Sequence, residues 1–172
     1  MLSAFKQLFS PPPYQQEAPR LYTALVAQAR KPVFYTQCGV PDTLDGRFDV
    51  IVLHLWMLID RLRREPSHET DLFARAVQEA FFADMDRSVR EMGVSDTGVG
   101  KRIKNMAQAF YGRMQAYDKR MEEGALTHNL YRGQAPTASA LTYMTGYLAR
   151  NRDALAGTAL SEFLAGNLIF LD

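Results

Sequence analysis

The side chains of this sequence best placed to do chemistry are charged, and most of them fall in one stretch. Arg87 and Arg90 stand beside Asp84, Asp86 and Glu91, and Lys101, Arg102, Lys104, Arg113, Lys119 and Arg120 follow closely. Cations brought onto one edge can hold RNA phosphate, a lipid headgroup or an acidic segment of another protein. The same residues can equally form a solvated face with the neighbouring carboxylates as counter-ions. Nothing in the stretch reads bases.

Other chemistries fail on spacing. Asp84, Asp86 and Glu91 suggest a carboxylate-rich metal bundle, but the Glu-x-x-His pairs of such a site are missing. His54, His68 and His128 are scattered, with no pair at ligand spacing. His54 interrupts an apolar run, where a hydrogen-bonded core histidine is the expectation. Gly98-Val99-Gly100-Lys101-Arg102 superficially suggests a phosphate loop, yet it follows a helix rather than a strand and lacks the full spacing. There is no nucleophile elbow, and the lone Cys38 has no nearby base to activate it. No metal, cofactor or catalytic residue is expected, and the chain reads as a binder rather than an enzyme.

The elements that position these charges are helices. Val50-Ile51-Val52-Leu53-His54-Leu55-Trp56-Met57-Leu58-Ile59 is apolar on every face and too short to span a bilayer. It predicts a central helix over about 46–65, buried by its neighbours. A helix over 19–30 precedes it, with 14–18 as a lead-in, and the irregular connection 31–46 packs through its own side chains. Phe73, Val77, Phe81, Met85, Val89 and Met92 mark the next helix, which Gly93 ends. Val99, Ile103, Met106, Phe110, Met114, Tyr117 and Met121 mark a long partner over 99–123, with Gly124 as its stop. Gly112 inside it suggests close approach of another backbone. Helices over 138–151 and 154–165 follow, and the apolar tail 167–172 is expected to pack on the core. The fold class is all-α: a single-domain irregular bundle of about six helices around the central one.

Residues 1–13 read as an N-terminal arm, with Leu2, Phe5, Leu8 and Phe9 on one face and Pro11-Pro12-Pro13 cutting it off, and 14–172 read as the domain. The arm is expected to pack on the domain or on a neighbouring subunit, a weak interfacial anchor being its alternative. With 172 residues, 47% of them hydrophobic and 23% charged, the balance is that of one globular domain. A net charge of +1 confines any basic surface to a local patch. One cysteine suits a reducing compartment, and the lack of a secretory leader or an apolar span predicts a soluble cytoplasmic protein able to work beside a membrane.

Several stretches together resemble a known family. They are Phe34-Tyr35, Gly39-Val40-Pro41-Asp42-Thr43-Leu44-Asp45-Gly46-Arg47-Phe48 and Leu53-His54, then Asp84-Met85-Asp86-Arg87-Ser88-Val89-Arg90-Glu91-Met92-Gly93-Val94, Lys101-Arg102-Ile103-Lys104 and Phe110-Tyr111-Gly112-Arg113. Over about 21–132 the sequence is similar to the bacterial branch of the ubiquinol–cytochrome c chaperone family. The resemblance implies a helical, non-enzymatic assembly factor. Such a factor binds newly made cytochrome b and assists assembly of ubiquinol–cytochrome c reductase. In mitochondrial relatives the ribosome's exit region and a small partner protein also take part. The resemblance implies that Asp84, Asp86, Arg87, Arg90, Glu91, Lys101, Lys104, Tyr111 and Arg113 are the motif positions that bind. Beside them, Met85, Met92, Met106, Phe110 and Met114 either line an adaptable apolar groove or form the core of the helix pair. The rival reading is a peripheral-membrane adaptor, touching anionic lipid through the basic edge with Phe5 and Phe9.

Overall fold

Thr43 opens the helix around which the fold is built. Its backbone is extended and its hydroxyl accepts from the Gly46 N–H at 3.1 Å, an N-cap that satisfies one of the free amides of the first turn. The computed structural model describes residues 12–93, 95–119 and 123–172. Its helices are α1 (Glu17–Ala29), α2 (Val33–Thr36), α3 (Leu44–Arg63), α4 (His68–Glu91), α5 (Asp96–Lys119), α6 (Glu123–Asn129), α7 (Ala138–Gly157) and α8 (Leu160–Leu164). Among the described residues there is no strand. The architecture is one all-helical domain, and α3 is its centre. Every residue from Phe48 to Ile59 is buried, with α1, α4, α5 and α7 packed around it. The expected arm at 1–13 lies outside the described residues for all but its last two positions.

α4 and α5 form a hairpin. Ser67 caps α4 reciprocally with Thr70, and Gly93 ends it in the left-handed conformation at φ +73°. Phe73, Val77, Phe81, Met85 and Val89 face Val99, Phe110, Met114 and Tyr117, and the Phe81 and Phe110 rings lie 5.1 Å apart. Gly112 is not a close-packing position: a Cβ there would meet nothing within 4 Å. Three boundaries also differ from expectation. α1 begins at Glu17, so Ala18 belongs to the helix rather than to a lead-in. Gly124 lies in the first turn of α6 instead of closing α5. α7 runs through Asn151 to Gly157, because the Asn151 amide is fully buried and used twice, on the Tyr147 carbonyl at 2.9 Å and on the Leu171 carbonyl at 3.0 Å.

That asparagine clamps the tail. Its Oδ1 accepts from the Leu171 N–H at 2.7 Å, and Phe170 lies edge-on to His54 with ring centroids 4.9 Å apart. Arg61 ties the far end of α3 to α7 by donating to the carbonyls of Leu155 at 2.8 Å and Thr158 at 2.9 Å, a cation where the helix dipole is negative. In the long connection before α3, Phe34, Cys38 and Val40 are buried, and burial pushes the Cys38 thiol up to about 11.

His54 is fully buried with both ring nitrogens engaged. Nδ1–H donates to the Val50 carbonyl at 2.8 Å, and Nε2 accepts from the Tyr147 hydroxyl at 2.7 Å. Gln28 donates to that same hydroxyl at 3.1 Å, so the neutral tautomer completes the network. Burial holds the imidazole down at about 4, against an ordinary 6.5. As pH falls below 6.5 the unfolded imidazole takes up a proton that the folded one refuses until about 4. His54 therefore withdraws stability across that window, by about 3 kcal/mol in all. In urea titrations the stability of the wild type relative to His54→Gln is expected to be flat above pH 6.5 and to fall by that amount towards pH 4.

Candidate functional site

The charges at the end of α4 are largely committed to one another. The Asp84 carboxylate accepts from the Tyr22 hydroxyl at 2.9 Å and from Arg87 at 3.0 Å. Burial and that carboxylate push the Tyr22 phenol well above its ordinary range. Arg90 pairs with Asp86 at 2.6 Å and reaches Asp96 at 3.3 Å. Glu91 is exposed at the helix end. The stretch is a solvated face of mutually paired charges, and these pairs add little to stability.

The first turns of α5 differ. Lys101, Arg102 and Lys104 are exposed, and among the described residues none of the three is in an ion pair. Lys101 and Arg102 line a cleft of about 450 Å³ whose opposite wall is the start of α3, with Asp45 and Phe48. Asn105, Met106 and Ala109 continue the α5 wall, and Arg132 closes the end. Lys104 is not among the lining residues.

Arg113 is at the base of this cleft rather than free on the surface. Its guanidinium lies 2.8 Å from Asp49 and its carbon stands 5.5 Å from the centre of the Phe48 ring. Asp49 is wholly buried, and Arg132 Nε donates to its other oxygen at 2.8 Å while reaching Asp45 at 3.3 Å. Burial pushes the Asp49 carboxyl up to about 6 against the pull of both guanidiniums. Arg132 adopts a left-handed backbone, φ +54°, held between these two acids.

The apolar set does not form one groove. Met85, Phe110 and Met114 are 5%, 1% and 5% exposed, inside the hairpin seam. They face each other across the two helices because the stripe that reads as amphipathic is the stripe that joins them. Met106 lies in the cleft wall, and Met92, 46% exposed, is at the hairpin tip. Tyr111, 58% exposed, stands beside Phe82 and Phe110.

Sequence reading missed Asp45, Asp49 and Arg132. The available signal was the pair Asp45 and Asp49, one helical turn apart at the mouth of an apolar run, where a buried acid requires a cation. Which cation it takes depends on contacts across the whole domain.

Comparison with known proteins agrees with this fold. The family model for ubiquinol-cytochrome C chaperone matches residues 36–170. A Xenopus laevis protein named ubiquinol-cytochrome-c reductase complex assembly factor 1 is 26% identical over 137 residues, 76% of this chain and 68% of that protein. Its Homo sapiens namesake is 28% identical over 100 residues, which are 58% of this chain and 33% of that protein. The chain thus spans about a third of the length of the human relative. The crystal structure of the Cbp3 homolog from Brucella abortus superposes with a TM-score of 0.78 at 32% identity, covering 99% of this chain and 96% of that one.

Proposed function

This chain belongs to the ubiquinol-cytochrome C chaperone family, and from that premise we propose that it is a non-enzymatic chaperone that binds newly made cytochrome b and assists assembly of ubiquinol–cytochrome c reductase. The observation that carries the reading is the match of nearly the whole chain, in sequence and in fold, to the Cbp3 homolog from Brucella abortus. Relatives named as assembly factors for the same complex support it. None of the described helices is long and apolar enough to cross a membrane. We place the encounter with a membrane-protein client at the cytoplasmic face. Exposed Arg90, Lys104 and Tyr111, with the exposed Met92, are the outer anchors proposed for that client.

The test is removal of the gene, with cytochrome b and the assembled reductase quantified in membranes. A several-fold fall in both is expected, with other respiratory complexes intact and levels restored by the wild-type gene. Unchanged levels of both would overturn the reading.

A further inference from the structure

The cleft between α3 and α5 takes in Lys101 and Arg113, which the family likeness marks as binding positions, and adds Arg102 and Arg132, with no ligand assigned to the set. We propose that it binds an acidic–apolar segment of a polypeptide, the carboxylate on Lys101 and Arg102 and the adjoining apolar side chain over Met106 and Ala109. The proposal rests on the reading that this chain holds a polypeptide client.

Three observations carry it. First, two of the four cations lining the cleft, Arg113 and Arg132, are already paired within the chain, to Asp49 and Asp45. Two further cations, Lys101 and Arg102, line the same space without an ion pair among the described residues, so the cleft keeps a surplus of positive charge. Second, part of the wall beside these charges is apolar: Met106 and Ala109 are half-buried, above a Phe48 ring that Arg113 covers. A bare inorganic anion would leave that surface wet, whereas an acidic residue next to an apolar one covers both. Third, about 450 Å³ is the size of a small-ligand site, with room for an acidic side chain and an apolar neighbour. Arg102 offers the planar fork that pairs with a carboxylate through two hydrogen bonds, and Lys101 adds a point charge.

The experiment titrates the isotope-labelled full chain with the peptide acetyl-Leu-Asp-Phe-Glu-Leu-amide, following backbone amide shifts. Parallel titrations use the same peptide with Asn and Gln for its acids, inorganic phosphate, and phosphatidylglycerol vesicles. The expected result is saturable shifts at Gly98, Lys101, Arg102, Asn105 and Arg132 with the acidic peptide alone. Lys101→Glu with Arg102→Glu is expected to weaken binding roughly tenfold or more, with Arg75→Glu as the charge control on the exposed face of α4. If the double variant fails to fold, Lys101→Gln with Arg102→Gln takes its place, together with the salt dependence of peptide binding. Equal response to the amide peptide, response only to phosphate or vesicles, or no response in the cleft would each overturn the proposal. Reductase levels separate the two readings. If gene removal lowers them but a folded double variant restores them fully, the cleft proposal fails while the assembly role stands. If gene removal has no effect, the assembly role fails, and the titration still decides the cleft.

Discussion

Gly46→Ala is expected to cost about 4 kcal/mol or more and to leave little soluble protein, because no atom can be added where its Cβ would stand. That Cβ would lie 1.9 Å from the Pro41 carbonyl oxygen, and its three nearest atoms are all Pro41 backbone. The same oxygen accepts from the Thr43 N–H at 2.8 Å, so moving it undoes the turn that presents the cap of α3. The segment cannot swing outward, since Cys38 and Val40 just before it are 0% and 2% exposed. Gly112→Ala is the internal control. It lies exposed within α5 with open space around it, and there the change is expected to stabilise by up to about 1 kcal/mol through helix propensity. Urea midpoints and soluble yield check both. A folded Gly46→Ala protein with unchanged midpoint would mean that the Pro41 corner gives way freely.

Arg113→Ala is expected to destabilise by about 3–5 kcal/mol, because it strips one of two counter-charges from a carboxylate that has no water to fall back on. Arg132 alone remains on Asp49, itself 41% exposed at the side chain and shared with Asp45. The double variant Asp49→Asn with Arg113→Ala is expected to lose less than Arg113→Ala alone, since a neutral amide removes the orphaned charge. The pH dependence has a definite sign. Asp49 already titrates near 6, above its ordinary 3.8, and losing a guanidinium moves it further up. A carboxyl raised in the folded state stabilises when protonated and loses that contribution as pH rises through its folded value. The deficit of Arg113→Ala is therefore expected to shrink between pH 7 and pH 5 in denaturant titrations. A deficit independent of pH would remove Asp49 as its cause.

The fold was legible where burial follows a period. The apolar run at 50–59 dictates a buried helix, and the stripes from Phe73 to Val89 and from Val99 to Tyr117 dictate the hairpin. Legibility failed where a polar side chain serves the tertiary structure instead of the local one. Asn151 reads as a helix stop by propensity, yet its amide is spent on the tail twenty residues away in sequence. The charged edge was legible as composition, but not the pairing within it: Arg87 is on Asp84 and Arg90 on Asp86, distances that only the folded helix fixes. Asp49 was the opposite case. A single acid beside Val50 is unremarked in a sequence, and its meaning comes from Arg113 and Arg132, brought to it from two other segments.

The central position of α3 also decides how the domain can respond to anything it binds. α1, α4, α5 and α7 pack around α3, and Phe34 of α2 and Phe163 of α8 also reach it, at His54 and at Arg61. A helix held on so many sides is expected to move as one body with the domain, a fixed template rather than a jaw. Adaptation to a ligand is confined to side chains and to surface turns, while the amides of α3 exchange with solvent only when the whole domain unfolds. Their exchange rate then reports global stability directly, whether or not a ligand is present.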